Sequence, residues 1–239
     1  MTLAETMSAL AKLGSEQTRK TWLRHGVNGE MFGVKVGDMK TLMKKLPKEP
    51  EARQDLALGL YATGNVDAMY FAGLLADGRR MSKREIQKWA AAARCSILSE
   101  YTVPWVTVES DHARELALTW IDSKQAATAS AGWNTYAGIV STRPDDALDL
   151  AEIKRLLARV EKEIGRAPNR VRYCMNGFVI AVGAGVKPLL ATAKATAKRL
   201  GLVKVDMGDT ECKVPPALAM IEKIEGMGRV GKKRATMKC

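Results

Sequence analysis

Trp105 and Glu109 stand four residues apart in "PWVTVES", residues 104–110. On a helix that spacing puts an indole ring and a carboxylate on one face, a single turn from each other. Facing a ligand, the pair can hold a flat or cationic group against the ring and place a negative charge beside it. It reads equally as a half-buried tryptophan followed by a solvated acid, and the stretch by itself leaves both readings open.

Two further segments put polar and aromatic side chains on otherwise apolar helices. "SAGWNTYAGIV" carries Trp133, Asn134 and Tyr136 among small residues, with Ser130 one turn before Asn134. "NRVRYCMNGFVIAVG" gathers Arg170, Arg172, Tyr173, Asn176 and Phe178 near the start of its helix. Singly, each aromatic suits a core as well as a site, and Asn176 can simply bond a neighbouring helix. Together with Trp105 and Glu109 they form a candidate concave cluster.

Other site chemistries lack their residues. His25 and His112 lie outside any H-E-x-x-H pattern and suit helix ends, and no G-x-x-x-x-G-K-[ST] phosphate loop occurs. Gly177, Gly183 and Gly185 do not form G-x-G-x-x-G after a strand and fit close helix packing instead. Cys95, Cys174, Cys212 and Cys239 are widely spaced with no C-x-x-C pair, which argues against zinc or a disulfide framework and for a reducing compartment. Metal sites, nucleotide hydrolysis and serine or cysteine hydrolase chemistry are disfavoured, and no cofactor is called for.

The elements that must position these residues are helices. Ser82 and Glu85 form a capping box, after which Ile86, Trp89, Ala90, Ala93, Ile97 and Leu98 recur on one face. "RPDDALDLAEIKRLLARVEKEIG" opens on proline and two acids, ends at Gly165, and carries a stripe from Leu150 to Ile164. Similar helical segments are expected at about 2–13, 16–25, 38–46, 51–63, 66–76, 111–121, 124–140, 169–184, 187–200 and 215–227. Only "FGVKV", "TVPWV" and "LVKVD" look extended. Many consecutive helices with short connections predict antiparallel pairs, in a globular bundle or a stacked array.

The chain of 239 residues carries 38 Lys+Arg against 26 Asp+Glu, a formal +12. From Lys187 onward there are twelve basic and five acidic residues, so this stretch holds +7 of that excess. Such a balance favours a polyanionic partner, nucleic acid before membrane. The N-terminal stretch reads as a first helix rather than a signal peptide, and no run is long enough to span a bilayer. "GMGRVGKKRATMKC", residues 226–239, has three glycines and five basic residues, the composition of a flexible arm that neutralises phosphates.

"MFGVKVGDMKTLMKKL" at 31–46, the W-x-x-x-acid pattern at Trp105 and Glu109, and the "GF" of "YCMNGFVIAVG" resemble the AlkD-type DNA alkylation repair family, over about residues 5–200. The segments "VDMGDTECKVP" and "GRVGKKR" resemble a branch apart from its best-known glycosylases. The resemblance implies an all-α solenoid of HEAT-like antiparallel helical pairs (1–225) curved around double-stranded DNA, alkylated or not, with 226–239 as a basic arm. It also implies a monomer at work in the bacterial cytoplasm at the nucleoid.

Active members release N3- or N7-alkylated purines. The cationic base is a good leaving group, and a carboxylate beside the sugar can stabilise the developing positive charge and orient water. By resemblance Glu109 is that carboxylate, and Trp105, Phe178, Trp133, Asn176, Tyr173 and Ser130 line the nucleotide. Arg170 and Arg172, with Arg229, Lys232, Lys233 and Arg234 of the arm, would meet phosphates. Three positions depart from the active pattern: Glu109 replaces an aspartate, Phe178 a second tryptophan, and Ser130 a phosphate-gripping arginine. Three functions stay open: alkylpurine excision, DNA binding without cleavage at damaged, bent or branched sites, and a helical-repeat scaffold for acidic proteins.

Overall fold

The computed structural model describes residues 1–238 and contains, among them, helices and turns but no strand. Thirteen α-helices follow one another: α1 (Leu3–Leu13), α2 (Glu16–Arg24), α3 (Val36–Met43), α4 (Pro50–Ala62), α5 (Val66–Leu75), α6 (Lys83–Ala92), α7 (Val103–Glu109), α8 (Ala113–Ile121), α9 (Ala126–Thr142), α10 (Leu150–Glu163), α11 (Asn169–Gly185), α12 (Leu190–Leu200) and α13 (Ala217–Gly226). Cys239 lies outside the described residues, and the expectation attached to it goes untested.

The helix ends follow local chemistry. Ser82 and Glu85 cap α6 reciprocally, the Glu85 amide donating to Ser82 Oγ and the Ser82 amide to Glu85 Oε2. Thr2 and Glu5 do the same for α1. His25 occupies the C-cap of α2 and His112 the N-cap of α8, the helix-end positions expected for both.

Two boundaries differ from the periodicity. The stripe running from Ile86 to Leu98 is broken after Ala92, and Leu98–Thr102 forms a π-helical turn leading into α7. "TVPWV" is accordingly helical rather than extended, because Pro104 falls in the first turn of α7, where its missing N–H costs nothing. "FGVKV" up to Lys35 and "LVKVD" are non-helical and pair into no sheet. In the segment opened by Pro144, Asp145–Ala147 is a 3-10 turn, and α10 begins at Leu150 behind the N-cap Asp149.

Odd-numbered helices α5, α7, α9, α11 and α13 form one row, and even-numbered α4 to α12 pack against it. Neighbours in the odd row touch along the stack, whereas close packing of neighbours in the even row is confined to α10 and α12. The stack therefore curves with the odd row inside, as in a helical-repeat solenoid. Gly183 and Gly185 allow this closeness: a Cβ at Gly183 would come 2.6 Å from Ile221 of α13, and one at Gly185 2.8 Å from the Val140 carbonyl of α9.

One buried anchor holds the N-terminal end. The carboxylate of Asp67, on α5, accepts from the backbone amides of Phe32, Gly33 and Val34 at 2.6, 3.0 and 2.8 Å. Those residues belong to the "MFGVKV" segment, so the acid replaces a missing sheet as its hydrogen-bonding partner.

The chain after α12 returns along the stack twice. Residues between α12 and α13 hold Asn169 of α11 through Asp206, and Gly208 lies against the Arg24 carbonyl at the end of α2. The segment after α13 runs across the C-terminal ends of the odd row: Gly231 donates to Ala184, Arg234 to Ser141, and Lys238 reaches Ala76. Of the segment 226–239, where the sequence leads us to expect a flexible basic arm, the described part bonds three helix ends. Glycine and lysine content alone concealed the pegs that tie it.

Candidate functional site

The π-turn and α7 present a run of side chains to the inner row. Trp105 is 4% exposed, its ring edge-on to Tyr70 at 5.2 Å and to Tyr101 at 6.3 Å. These rings line a cleft of about 420 Å³, completed by Ile97, Glu100, Asn134 and, from the C-terminal segment, Arg234 and Met237. π-turns of this kind are frequent at functional sites because they re-aim a helix face.

The acid that faces this cleft is Glu100. Its side chain is fully buried, and Arg170 clamps it with Nε on Oε1 at 2.7 Å and Nη2 on Oε2 at 2.5 Å. Arg170 also lies 4.5 Å above the Tyr173 ring, and its Nη1 donates to Met207 Sδ at 3.7 Å. Asn134 Nδ2 donates to the Glu100 carbonyl at 2.8 Å. Burial lifts the Glu100 carboxyl above the usual carboxylate range, against the pull of the Arg170 guanidinium.

Glu109 points elsewhere. Its Oε2 accepts from the Gly78 amide at 3.0 Å and from Lys238 Nζ at 2.9 Å, and it does not line the cleft. A Cβ at Gly78 would fall 1.9 Å from the Val106 carbonyl, so only glycine lets this turn sit on α7. Trp105 and Glu109 share α7 but serve different surroundings, the ring the cleft and the acid a junction of α5, α7 and the C-terminal segment.

Several expected lining residues are core. Phe178 is fully buried between Trp133 at 5.3 Å and Tyr136 at 5.8 Å. Ser130 is fully buried beside Cys174, whose thiol is pushed well up by burial. Asn176 donates to the Pro215 carbonyl at 2.9 Å, the neighbour bond that its sequence had left open. The physical reason is common to these three: their helix faces are covered by other parts of the chain, which spacing along one helix cannot reveal.

The cations divide as well. Arg170 is spent on Glu100, and Arg172 stands half-buried at a cavity walled by residues 202–216. Lys233 turns inward onto Val140 and Gly185 carbonyls and onto Asp145, while Arg229, Lys232 and Arg234 remain exposed. Glu100, Tyr101, Tyr70 and Lys238 escaped the sequence reading. Glu100 carried one signal, an acid within the apolar run "CSILSEYTVPWV". Among the described residues no three His, Cys, Asp or Glu side chains converge as a metal site, and no single helix is long and apolar enough to cross a membrane.

A profile of DNA alkylation repair enzymes matches residues 6–193. Uncharacterised proteins of Listeria monocytogenes and Listeria innocua are 33% and 32% identical to this chain, each over 93% of it and 97% of their own length. A solved structure superimposes over the whole of both chains at TM-score 0.89 and 36% identity. It is described as belonging to a new family of proteins related to the HEAT-like repeat DNA glycosylases with affinity for branched DNA structures. The fold is thus the all-α solenoid of HEAT-like pairs that the family resemblance implied, and the chain belongs to the DNA alkylation repair family.

Proposed function

We propose that the protein binds DNA along its inner row of helices, favours branched or sharply bent DNA over uninterrupted duplex, and breaks no glycosidic bond. The observation that carries this reading is the state of the two carboxylates. Excision of an alkylated base needs a carboxylate free to face the sugar. Glu100 faces the cleft but is clamped by Arg170, and Glu109 is held by Gly78 and Lys238 outside the cleft lining. Net charge supports a polyanionic ligand, and the affinity for branched DNA described for the 36% identical structure supports the choice of substrate.

Within this reading the exposed Tyr101, with Tyr70 and Trp105 behind it, offers a stacking platform to a base unpaired at a branch point, worth about 1–3 kcal/mol per base. A base at a branch point has lost a stacking neighbour, so it leaves its pair at lower cost than one inside an uninterrupted duplex.

The test sets two assays side by side. Purified protein is titrated with a four-way junction and with a duplex of equal length at several salt concentrations. It is also incubated with DNA carrying N3- and N7-methylpurines, beside Glu109→Gln. Tighter junction binding with no base release is expected; release that vanishes in Glu109→Gln would establish excision instead, the activity suggested by family membership.

A further inference from the structure

The C-terminal segment sorts its five cations by direction. Lys233 and Lys238 point inward: Lys233 Nζ donates to the Val140 carbonyl at 2.9 Å and the Gly185 carbonyl at 2.6 Å, and Lys238 Nζ bonds the Ala76 carbonyl and Glu109. Those carbonyls lie at the C-terminal ends of α9, α11 and α5, so both lysines sit at the negative ends of helix dipoles. Backbone bonds fix the residues around Lys233. Gly231 donates to Ala184 and Arg234 to Ser141, each at 2.8 Å, and the Lys232 amide closes a turn onto Arg229 at 3.1 Å.

That frame holds Arg229, Lys232 and Arg234 around a cavity of about 260 Å³ whose other walls are Ser141, Ile224 and the ends of α9 and α11. All three side chains are exposed, none forms an ion pair among the described residues, and no acid lines the cavity. Asp145, beside this frame, pairs with Lys233 at 2.8 Å. Two helix C-termini would ordinarily repel an anion. Lys233 bonds one carbonyl at each of these ends as well as Asp145, so it offsets part of that repulsion, and the three outward cations outweigh the remainder.

We infer that Arg229, Lys232 and Arg234 form a preorganised pocket for one nucleic-acid backbone phosphodiester. Arg234 also lines the aromatic cleft, so the two cavities share a wall. A strand whose base lies against Tyr101 thereby brings an adjacent phosphate to the pocket, and the segment fixes register rather than trailing as a diffuse counter-ion. The inference deepens the DNA-binding reading and rests on it.

The experiment compares full-length wild type with the triple variant Arg229→Gln, Lys232→Gln, Arg234→Gln. A second triple variant, Lys154→Gln, Arg155→Gln, Lys198→Gln, removes the same charge from exposed sites on α10 and α12. The affinity for a four-way junction is measured against salt concentration. The pocket variant should lower the slope of log K on log salt by about 0.9, the value for one lost phosphate contact, and the control should barely change it. Neutral methylphosphonates scanned along the junction should weaken wild type at a discrete position and leave the pocket variant unaffected there.

Equal slopes for the two triple variants, or losses that add at every methylphosphonate, would overturn the pocket while leaving DNA binding intact. Absence of junction binding by wild type would overturn both. Unchanged melting temperatures are expected, because all six residues are exposed.

Discussion

Arg170 and Glu100, seventy positions apart in the chain, form a two-pronged ion pair that ties the start of α11 to the π-turn before α7. Glu100 is fully buried on its side chain while Arg170 keeps 31% of its own exposed, so the pair is lopsided. Loss of the arginine strands a buried charge, whereas loss of the acid leaves a guanidinium that can still reach water. Arg170→Ala should therefore cost about 3–5 kcal/mol of unfolding free energy, and Glu100→Gln markedly less. Chemical denaturation at neutral pH measures both.

The same pair gives a pH signature. Burial raises the folded-state pKa of Glu100 above its unfolded value, so between those two values the native state binds more protons than the unfolded one. Stability contributed by Glu100 is then fullest below the unfolded value and falls as pH rises through the folded one. The stability of wild type relative to Glu100→Gln should decline from about pH 4.5 upward. A difference that grows with pH across that window would contradict the assignment.

Phe178 and Tyr101 separate core from surface. Phe178 is fully buried between Trp133 and Tyr136, whereas Tyr101 is 43% exposed at the cleft. Phe178→Ala should cost about 3–5 kcal/mol in stability and leave the DNA affinity of the folded fraction nearly unchanged. Tyr101→Ala should do the reverse: a melting temperature close to wild type, and junction binding weaker by about 1–3 kcal/mol if one base stacks on the ring. Thermal melts and fluorescence titrations decide between them.

The contrast between these residues marks how far the chain could be read without coordinates. Helix positions were legible because capping boxes and 3.6-residue stripes are local: Ser82 with Glu85 and the α10 stripe through Ile153, Leu157 and Val160 lie where periodicity puts them. Site membership was not local. Trp133 and Phe178 lie on the same helices as Asn134 and Tyr173, yet only the latter two retain exposure, because α9 and α11 bury most of each other's faces. Glu100 and Lys238 depend on partners far along the chain, which no spacing rule encodes.

Asp67 tests the N-terminal anchor. Its buried carboxylate is the acceptor for three successive amides, Phe32 to Val34, that have no sheet to bond. Asp67→Ala leaves those donors without their partner and should cost roughly 2–4 kcal/mol, with proteolysis appearing first around residues 26–35. Asp67→Asn keeps part of the acceptor set and should cost less. Limited proteolysis with mass analysis reads the site of opening.

Lys238 tests the meaning of the acid one turn after Trp105. Its ammonium group bonds Glu109 and the Ala76 carbonyl together, and its side chain is 16% exposed against 24% for Glu109. Lys238→Met removes the charge, leaves Glu109 bonded only to the Gly78 amide, and opens that carboxylate to solvent. If the acid lay in the cleft, this would unmask base release from N3- or N7-methylpurine DNA. Because Glu109 sits outside the cleft lining, release should stay absent in Lys238→Met as in wild type, with a loss of stability of about 1–3 kcal/mol from the unpaired Ala76 carbonyl and the lost ion pair. Base release gained by Lys238→Met and abolished by adding Glu109→Gln would make the C-terminal segment the lock on an excision site, and would reverse the functional reading of the cleft.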